Sequence, residues 1–289
     1  MYVAIVSCLN YCNKISEDVA LVECLKNIGV PGEVVSWDDE SIDWGRYNIA
    51  VLRSAWGYHK KYDKFLNWLS LLDKRNIPLI NNTDIVRCNT DKEIQFATLS
   101  KLKVPIIPYV ISDSSFNFEK LYQIFNIKKL VCKPTISASG DDTYVVNASG
   151  QKNNIQANNI KTIFNGRKFI VQPFVESVHN GEYALVFLNG EFSHAVIRFP
   201  GVFTDKKTVR YIPQTDIPKN IMNMALNVAE KIRCHFGENP VYARYDMVNE
   251  GVMEIELAEP DLMTRNIPVD QKQLVLTKFA DLILKRWQR

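Results

Sequence analysis

Lys133 leaves the apolar run Leu130-Val131-Cys132 and is followed at once by Pro134, then by Ser137-Ala138-Ser139-Gly140. Proline cannot donate to a strand ladder, so the lysine sits where a strand ends. The small residues after it let backbone N–H groups come close to an anion. Further along, Asp246, Glu254 and Glu256 lie in two apolar runs joined by Asn249-Glu250-Gly251. Residues two apart on a strand share a face, so Glu254 and Glu256 point the same way, and Asp246 can lie opposite them on the partner strand. Three carboxylates on one face repel each other unless cations lie between them, and magnesium takes oxygen ligands and bridges to phosphates. Together, a strand-end lysine, a Ser/Gly loop and an acid cluster suit a nucleoside triphosphate with magnesium. Taken singly, the loop is also a plausible surface turn, and the acids the solvent face of an edge hairpin.

Other charged residues gain meaning only beside this set. Arg244 precedes Asp246 by two and shares its strand face, where it either stabilises charge on a transferring phosphoryl group or oxyanion, or simply neutralises the acid. Arg198 and Arg210 flank a Pro/Gly/Lys segment and either bind a carboxylate or phosphate or are ordinary exposed arginines. Lys92 follows Asn89-Thr90-Asp91 near a helix start and, alone, reads as a solvated helix residue. His194, in Phe192-Ser193-His194-Ala195-Val196, fits a half-buried structural histidine better than a catalytic one. No G-x-S-x-G or H-E-x-x-H occurs, so hydrolase triads and zinc proteases have no support.

These residues need elements to hold them. The 289 residues suffice for two or three lobes, and 46% hydrophobic with 23% charged residues is an ordinary globular balance. A net charge of +3 gives no case for nucleic acid, and no apolar run approaches a membrane span. The N-terminal run reads as a buried strand and not as a signal peptide, and six cysteines without a C-x-x-C pair read as reduced thiols of a cytoplasmic protein. Strands at 2–8, near 34–37, at 47–53 and at 78–81 alternate with helical patterns at 16–28 and 62–74, which implies a parallel, Rossmann-like sheet. Without G-x-G-x-x-G after the first strand, a dinucleotide site there has no support. A helix over 90–101, capped by Asn89 or Thr90, precedes an extended stretch from 104 to 111 and a helix near 116–126. Strands follow at 130–134 and 169–175, with a polar loop between them. The rest is strand-rich (183–189, 192–198, 241–248, 252–258), with an Asn189-Gly190 hairpin turn and helices near 217–236 and 271–287.

In order and spacing, Lys92, Lys133 with its Ser/Gly loop, Gln172-Pro173-Phe174-Val175, Gly181-Glu182, Arg244, Asp246, Glu254 and Glu256 resemble the ATP-grasp superfamily over nearly the whole chain. The resemblance is strongest to the glutathione-synthetase-like and ribosomal-protein-S6-modifying branch. Within it, Arg53-Ser54-Ala55-Trp56-Gly57-Tyr58 and Gly190-Glu191-Phe192-Ser193-His194 are most similar to the D-cycloserine-forming ligases. Glu256 stands where many members carry Asn, Trp56-Gly57-Tyr58 replaces W-D-Y, and a Gly pair often found after the position of Arg210 is absent.

The resemblance implies an α/β fold, α+β in its C-terminal half. It has a Rossmann-like lobe (1–84) and two ATP-grasp lobes (85–175 and 176–289) that hold ATP between them. It assigns ATP phosphates to Lys92, Lys133 and the loop of Ser137, Ser139 and Gly140, and adenine to Gln172 and the backbone of Phe174 and Val175. Glu182 would take the ribose, and Asp246, Glu254 and Glu256 would hold two magnesium ions. Arg198, Arg210 and Arg244 would face an acceptor carboxylate and its acyl phosphate, with Arg53, Trp56, Tyr58 and His194 on the substrate side. The implied activity is amide-bond formation between a carboxylate and an amine on a small amino-acid-like or peptide substrate. A small-molecule kinase and a non-catalytic nucleotide binder are the competing readings. Neither nucleic acid nor membrane is expected as a partner, and a homodimer is left open.

Overall fold

Strand β1 (Val3–Ser7) is buried at every position, as a central parallel strand covered on both faces must be. The computed structural model describes residues 1–113, 117–138, 142–147, 160, 162–164, 166–199 and 208–288. After β1 come α1 (Ser16–Asn27), β2 (Gly32–Ser36), β3 (Ile49–Leu52), α2 (Tyr62–Lys74) and β4 (Leu79–Ile80). The four strands form a parallel sheet in the order β2-β1-β3-β4. Alternation along β1 and β3 sends Val3, Ile5, Ile49 and Val51 into one core and Ala4, Val6, Ala50 and Leu52 into another, built around the Phe65 and Trp68 face of α2.

The expected helix at 90–101 is α4 (Lys92–Lys101), and an unforeseen helix, α3 (Thr83–Thr90), stands before it. Asp91, in an extended conformation, separates them and caps α4 by accepting from Glu93 N at 2.8 Å. Asn82 caps α3 in the same way, through Ile85 N. Asn89, expected as a cap, instead reaches across the molecule. Its amide donates to Ile255 O and accepts from Leu257 N and Ala258 N.

A second sheet comprises β5 (Val110–Ser112), β6 (Lys129–Pro134), β7 (Tyr144–Asn147) and β8 (Phe169–Pro173) in the antiparallel order β5-β8-β6-β7. Helix α5 (Phe118–Phe125) packs on it around Phe164 and Phe169. The third sheet contains β9 (Glu182–Leu188), β10 (Glu191–Phe199), β11 (Thr208–Ile212), β12 (Tyr242–Val248) and β13 (Gly251–Glu256). Its antiparallel order is β11-β10-β9-β12-β13. Strand β11, unforeseen from the sequence, lies at one edge. Asn189 and Gly190 both have positive φ, as the tight turn between β9 and β10 requires. Helix α6 (Lys219–Phe236) covers one face of this sheet, and α7 (Val269–Trp287) joins its other face to α1 and the first sheet in a single core. No helix among the described residues is long and apolar enough to cross a membrane.

Asn81 stitches the first and third sheets together. Its side chain donates to Tyr242 O (2.9 Å) and Leu257 O (2.7 Å) and accepts from Val241 N (2.7 Å), all in a buried setting. Asn81→Ala leaves these groups unpaired, at about 1–3 kcal/mol for each. We expect a loss of roughly 3 kcal/mol or more in urea denaturation. An unchanged midpoint would contradict that role.

Candidate active site

The register of the third sheet decides which side chains meet. Asp246 pairs with Glu254 and with Ala184, Arg244 with Glu256 and Val186, and Arg198 with Glu182. Paired positions share a face, so Glu182, Arg198, Arg244, Asp246, Glu254 and Glu256 all project to the same side. Oxygens of Asp246, Glu254 and Glu256 lie within 4.8 Å of one another. Asp246 is fully buried, and Arg244 grips it with two parallel bonds of 2.9 Å, Nε to Oδ1 and Nη2 to Oδ2. Arg244 also pairs with Glu256. Arg198 bridges Asp246 (2.7 Å) and Glu182 (3.0 Å), while its Nε is buried without an acceptor among the described residues.

Two lysines approach from the second lobe. Lys92 is the first residue of α4; its N–H bonds to Thr135 O, and its ammonium donates to Ser137 O at 2.9 Å and lies 3.3 Å from Glu254 Oε1. Lys133, near the end of β6, holds its ammonium 5.9 Å from the Phe96 ring centre and has no hydrogen-bond or ion-pair partner among the described residues. Burial lowers its pKa, with Glu254 opposing and Lys92 adding to the effect. Burial would raise Glu254, but Lys92, Lys133 and Arg244 outweigh it and hold the carboxyl low. Ser137 is buried, with its hydroxyl on Pro134 O. Ser139 and Gly140 lie outside the described residues.

The other expected site residues make contacts of their own. Arg210 pairs with Ile197, not with Arg198, so it projects from the opposite face and lies 4.9 Å over the Phe199 ring. Gln172 is buried and donates to Ile107 O. Phe174 N bonds to Lys129 O and Val175 O accepts from Val178 N. His194 is buried, with Nε2 2.7 Å from Leu262 O and Nδ1 3.0 Å from Ser193 Oγ, a structural setting. Trp56 packs edge-on against Tyr11, and Tyr58 stacks on Phe65. Burial raises the Tyr58 phenol far above its ordinary pKa, and Glu259, Glu256 and Glu254 add to this. Arg53 is 5% exposed and donates to Pro260 O. The sequence reading had missed Asn89 and Glu259. Nothing local marks Asn89, whereas Glu259 directly precedes Pro260 in the segment after the acid strand.

The overall fold recurs in solved structures. A crystal structure of D-cycloserine synthetase DcsG superposes with a TM-score of 0.82 at 23% identity, covering 99% of this chain and 100% of that one. D-alanine–D-alanine ligase from Bacillus anthracis, complexed with ATP, gives 0.68 at 15% identity over 100% and 98%. This chain has the ATP-grasp fold. A third structure of that fold, the ligase PsnB solved with a precursor variant, magnesium and ADP, gives 0.61 at 12% identity over 99% and 98%. In sequence, the chain is 27% identical over 259 residues to the cycloserine biosynthesis protein DcsG of Streptomyces lavendulae, covering 84% of this chain and 86% of the relative. Residues 3–81 match the family model described as the N-terminal domain of D-cycloserine synthetase DcsG.

The acids give this site a pH signature. Burial pushes Glu256 up to about 8, with Arg244 opposing and Asp246 and Glu254 adding to the rise. Burial likewise pushes Glu259 up to about 7, against Lys92. Both acids keep their protons longer in the folded chain than in the unfolded one. Stability therefore falls as pH rises from the ordinary carboxylate range through these values. Glu254, held low, contributes no slope in that window; burial lowers His194, whose opposing contribution is complete once pH passes the ordinary imidazole value, so the comparison starts there. In chelator, we expect a lower Tm at about pH 8 than at about pH 6.5, with the slope reduced in Glu259→Gln. A Tm that rises across the window would overturn this.

Proposed function

We propose that this chain is an ATP-dependent carboxylate–amine ligase acting on a small amino-acid substrate, with lobes at 1–84, 85–175 and 176–289. The observation that carries the reading is the approach of Lys92 from α4 and Lys133 from the second sheet to the acids and arginines of the third, since cations and carboxylates together are what a metal–triphosphate needs. Lys92 and Lys133 hold phosphate oxygens as point charges, under the loop of Ser137, Ser139 and Gly140. Glu182 takes the ribose hydroxyls, and Gln172, Phe174 and Val175 form the adenine side.

Asp246, Glu254 and Glu256 offer only hard oxygen donors at close quarters, a set that fits magnesium. They would hold two ions, which would neutralise charge between the phosphates. An oxygen of the substrate carboxylate attacks the γ-phosphorus, giving an acyl phosphate and releasing ADP. The amine nitrogen of the second substrate then attacks the acyl carbon. Phosphate departs with the electrons of the C–O bond, and the amine gives up a proton. Arg244 and Arg198 balance the anionic charge through both steps. Closure of the lobes keeps water from the acyl phosphate. A cytoplasmic site of action fits the need for ATP, and a homodimer is the assembly to test.

Two relatives with amino-acid names, D-cycloserine synthetase and D-alanine–D-alanine ligase, favour that substrate class. The test is ADP release from magnesium-ATP against a panel of D- and L-amino acids, alone and in pairs, with products read by mass spectrometry. An amide product supports the ligase. A stable phosphorylated amino acid would mean a kinase, and tight magnesium-ATP binding without ADP release would mean a binder.

A further inference from the structure

Two adjacent carbonyls in the segment after β13 are taken by two buried guanidiniums. Arg244 Nη1 donates to Asp261 O at 2.9 Å, and Arg53 Nη1 donates to Pro260 O at 3.0 Å. Arg244 stands in the site. Arg53 reaches the segment from the first sheet, just after β3. Its guanidinium lies 5.5 Å from the Tyr242 ring centre and 5.6 Å from that of Phe279, with Nε 3.9 Å from Asp18 Oδ1. The far end of the same segment is held from the same side. Glu17, in the first turn of α1, accepts from Thr264 Oγ1 at 2.6 Å and Arg265 N at 3.2 Å.

We propose that Arg53 is a positioning residue: through Pro260 it fixes the 259–263 segment, and so the acceptor that aims the Arg244 guanidinium at Asp246 and Glu256. This rests on the ligase reading above. Arg53 has no contact with the acids, and its planar group is suited both to stack on the two rings and to donate to a carbonyl. Without it, Pro260 and Asp261 lose their fixed place, and Arg244 loses the anchor for one of its nitrogens. Nucleotide binding rests on Lys92, Lys133 and the carboxylates, which the change leaves alone. The loss therefore falls on the chemical step.

The test compares wild type, Arg53→Met and Arg53→Lys. Amide exchange over residues 257–264 should quicken in Arg53→Met and recover in part in Arg53→Lys, whose ammonium can still reach a carbonyl. For an amino acid that wild type turns over, kcat should fall about 100-fold in Arg53→Met, with KM for ATP and for the amino acid unchanged. Unchanged exchange overturns the proposal, as does a raised KM for the amino acid with kcat kept, which would put Arg53 on the substrate. If wild type releases no ADP with any amino acid, the ligase reading fails on its own, and exchange still decides whether Arg53 holds the segment. If Arg53→Met loses protection throughout the chain, Arg53→Lys against wild type carries the comparison.

Discussion

Lys133→Met is expected to lower ATP turnover by roughly 100- to 1,000-fold, the usual cost of removing one charged group aimed at developing phosphoryl charge. The fold should survive. The Lys133 ammonium has no hydrogen-bond or ion-pair partner among the described residues, so its removal strands no buried acceptor. Burial already disfavours its charge, and methionine fills the same space over Phe96. The measurements are ADP release and a thermal melt. Turnover kept within a factor of two would remove Lys133 from the site. A collapse in Tm would mean that the lysine is structural.

Glu254→Gln is expected to weaken magnesium-dependent ATP binding by about tenfold or more, since it removes one of three carboxylates. The same change should leave ATP binding in chelator equal or tighter. Glu254 lies 3.3 Å from Lys92, and losing its charge leaves Lys92 available to phosphate. Calorimetric titration with and without magnesium reads both effects. Equal weakening in the two conditions would mean that Glu254 touches the nucleotide and not the metal. Asp246→Asn is the harsher change. It leaves Arg198 and Arg244 beside a neutral amide at a fully buried position, at about 3–5 kcal/mol in stability. Its loss of binding should therefore come with a lower Tm.

Much of this frame was legible from local pattern. The parallel strands showed as continuous apolar runs, and the Asn189-Gly190 turn was fixed by chemistry that only a tight hairpin needs. Glu254 and Glu256 could be placed on one face because strand periodicity is two, and the register then put Asp246 opposite Glu254. What escaped depends on partners distant in sequence. No pattern announced α3 ahead of the helix read at 90–101, and only the structure shows Asn89 turned toward the strand 166 residues on. Arg198 and Arg210 looked like equivalent flanks of one loop. The pairing of Arg198 with Val209 places Arg210 on the other face, and no feature of that segment announced β11. The family resemblance puts Arg53 on the substrate side. Its use by Pro260 is a contact across 207 positions.

The core that joins α1, α7 and faces of the first and third sheets has a mechanical consequence. Side chains from both ends of the chain interdigitate there, and close-packed interiors resist sliding. The second sheet keeps its own core around Phe164 and Phe169, tied to the third sheet along Pro105–Ile107, where the backbone bonds to Val252. The first and last thirds of the chain thus share one close-packed block, and the second sheet is hung on that block by the short splice beside β13.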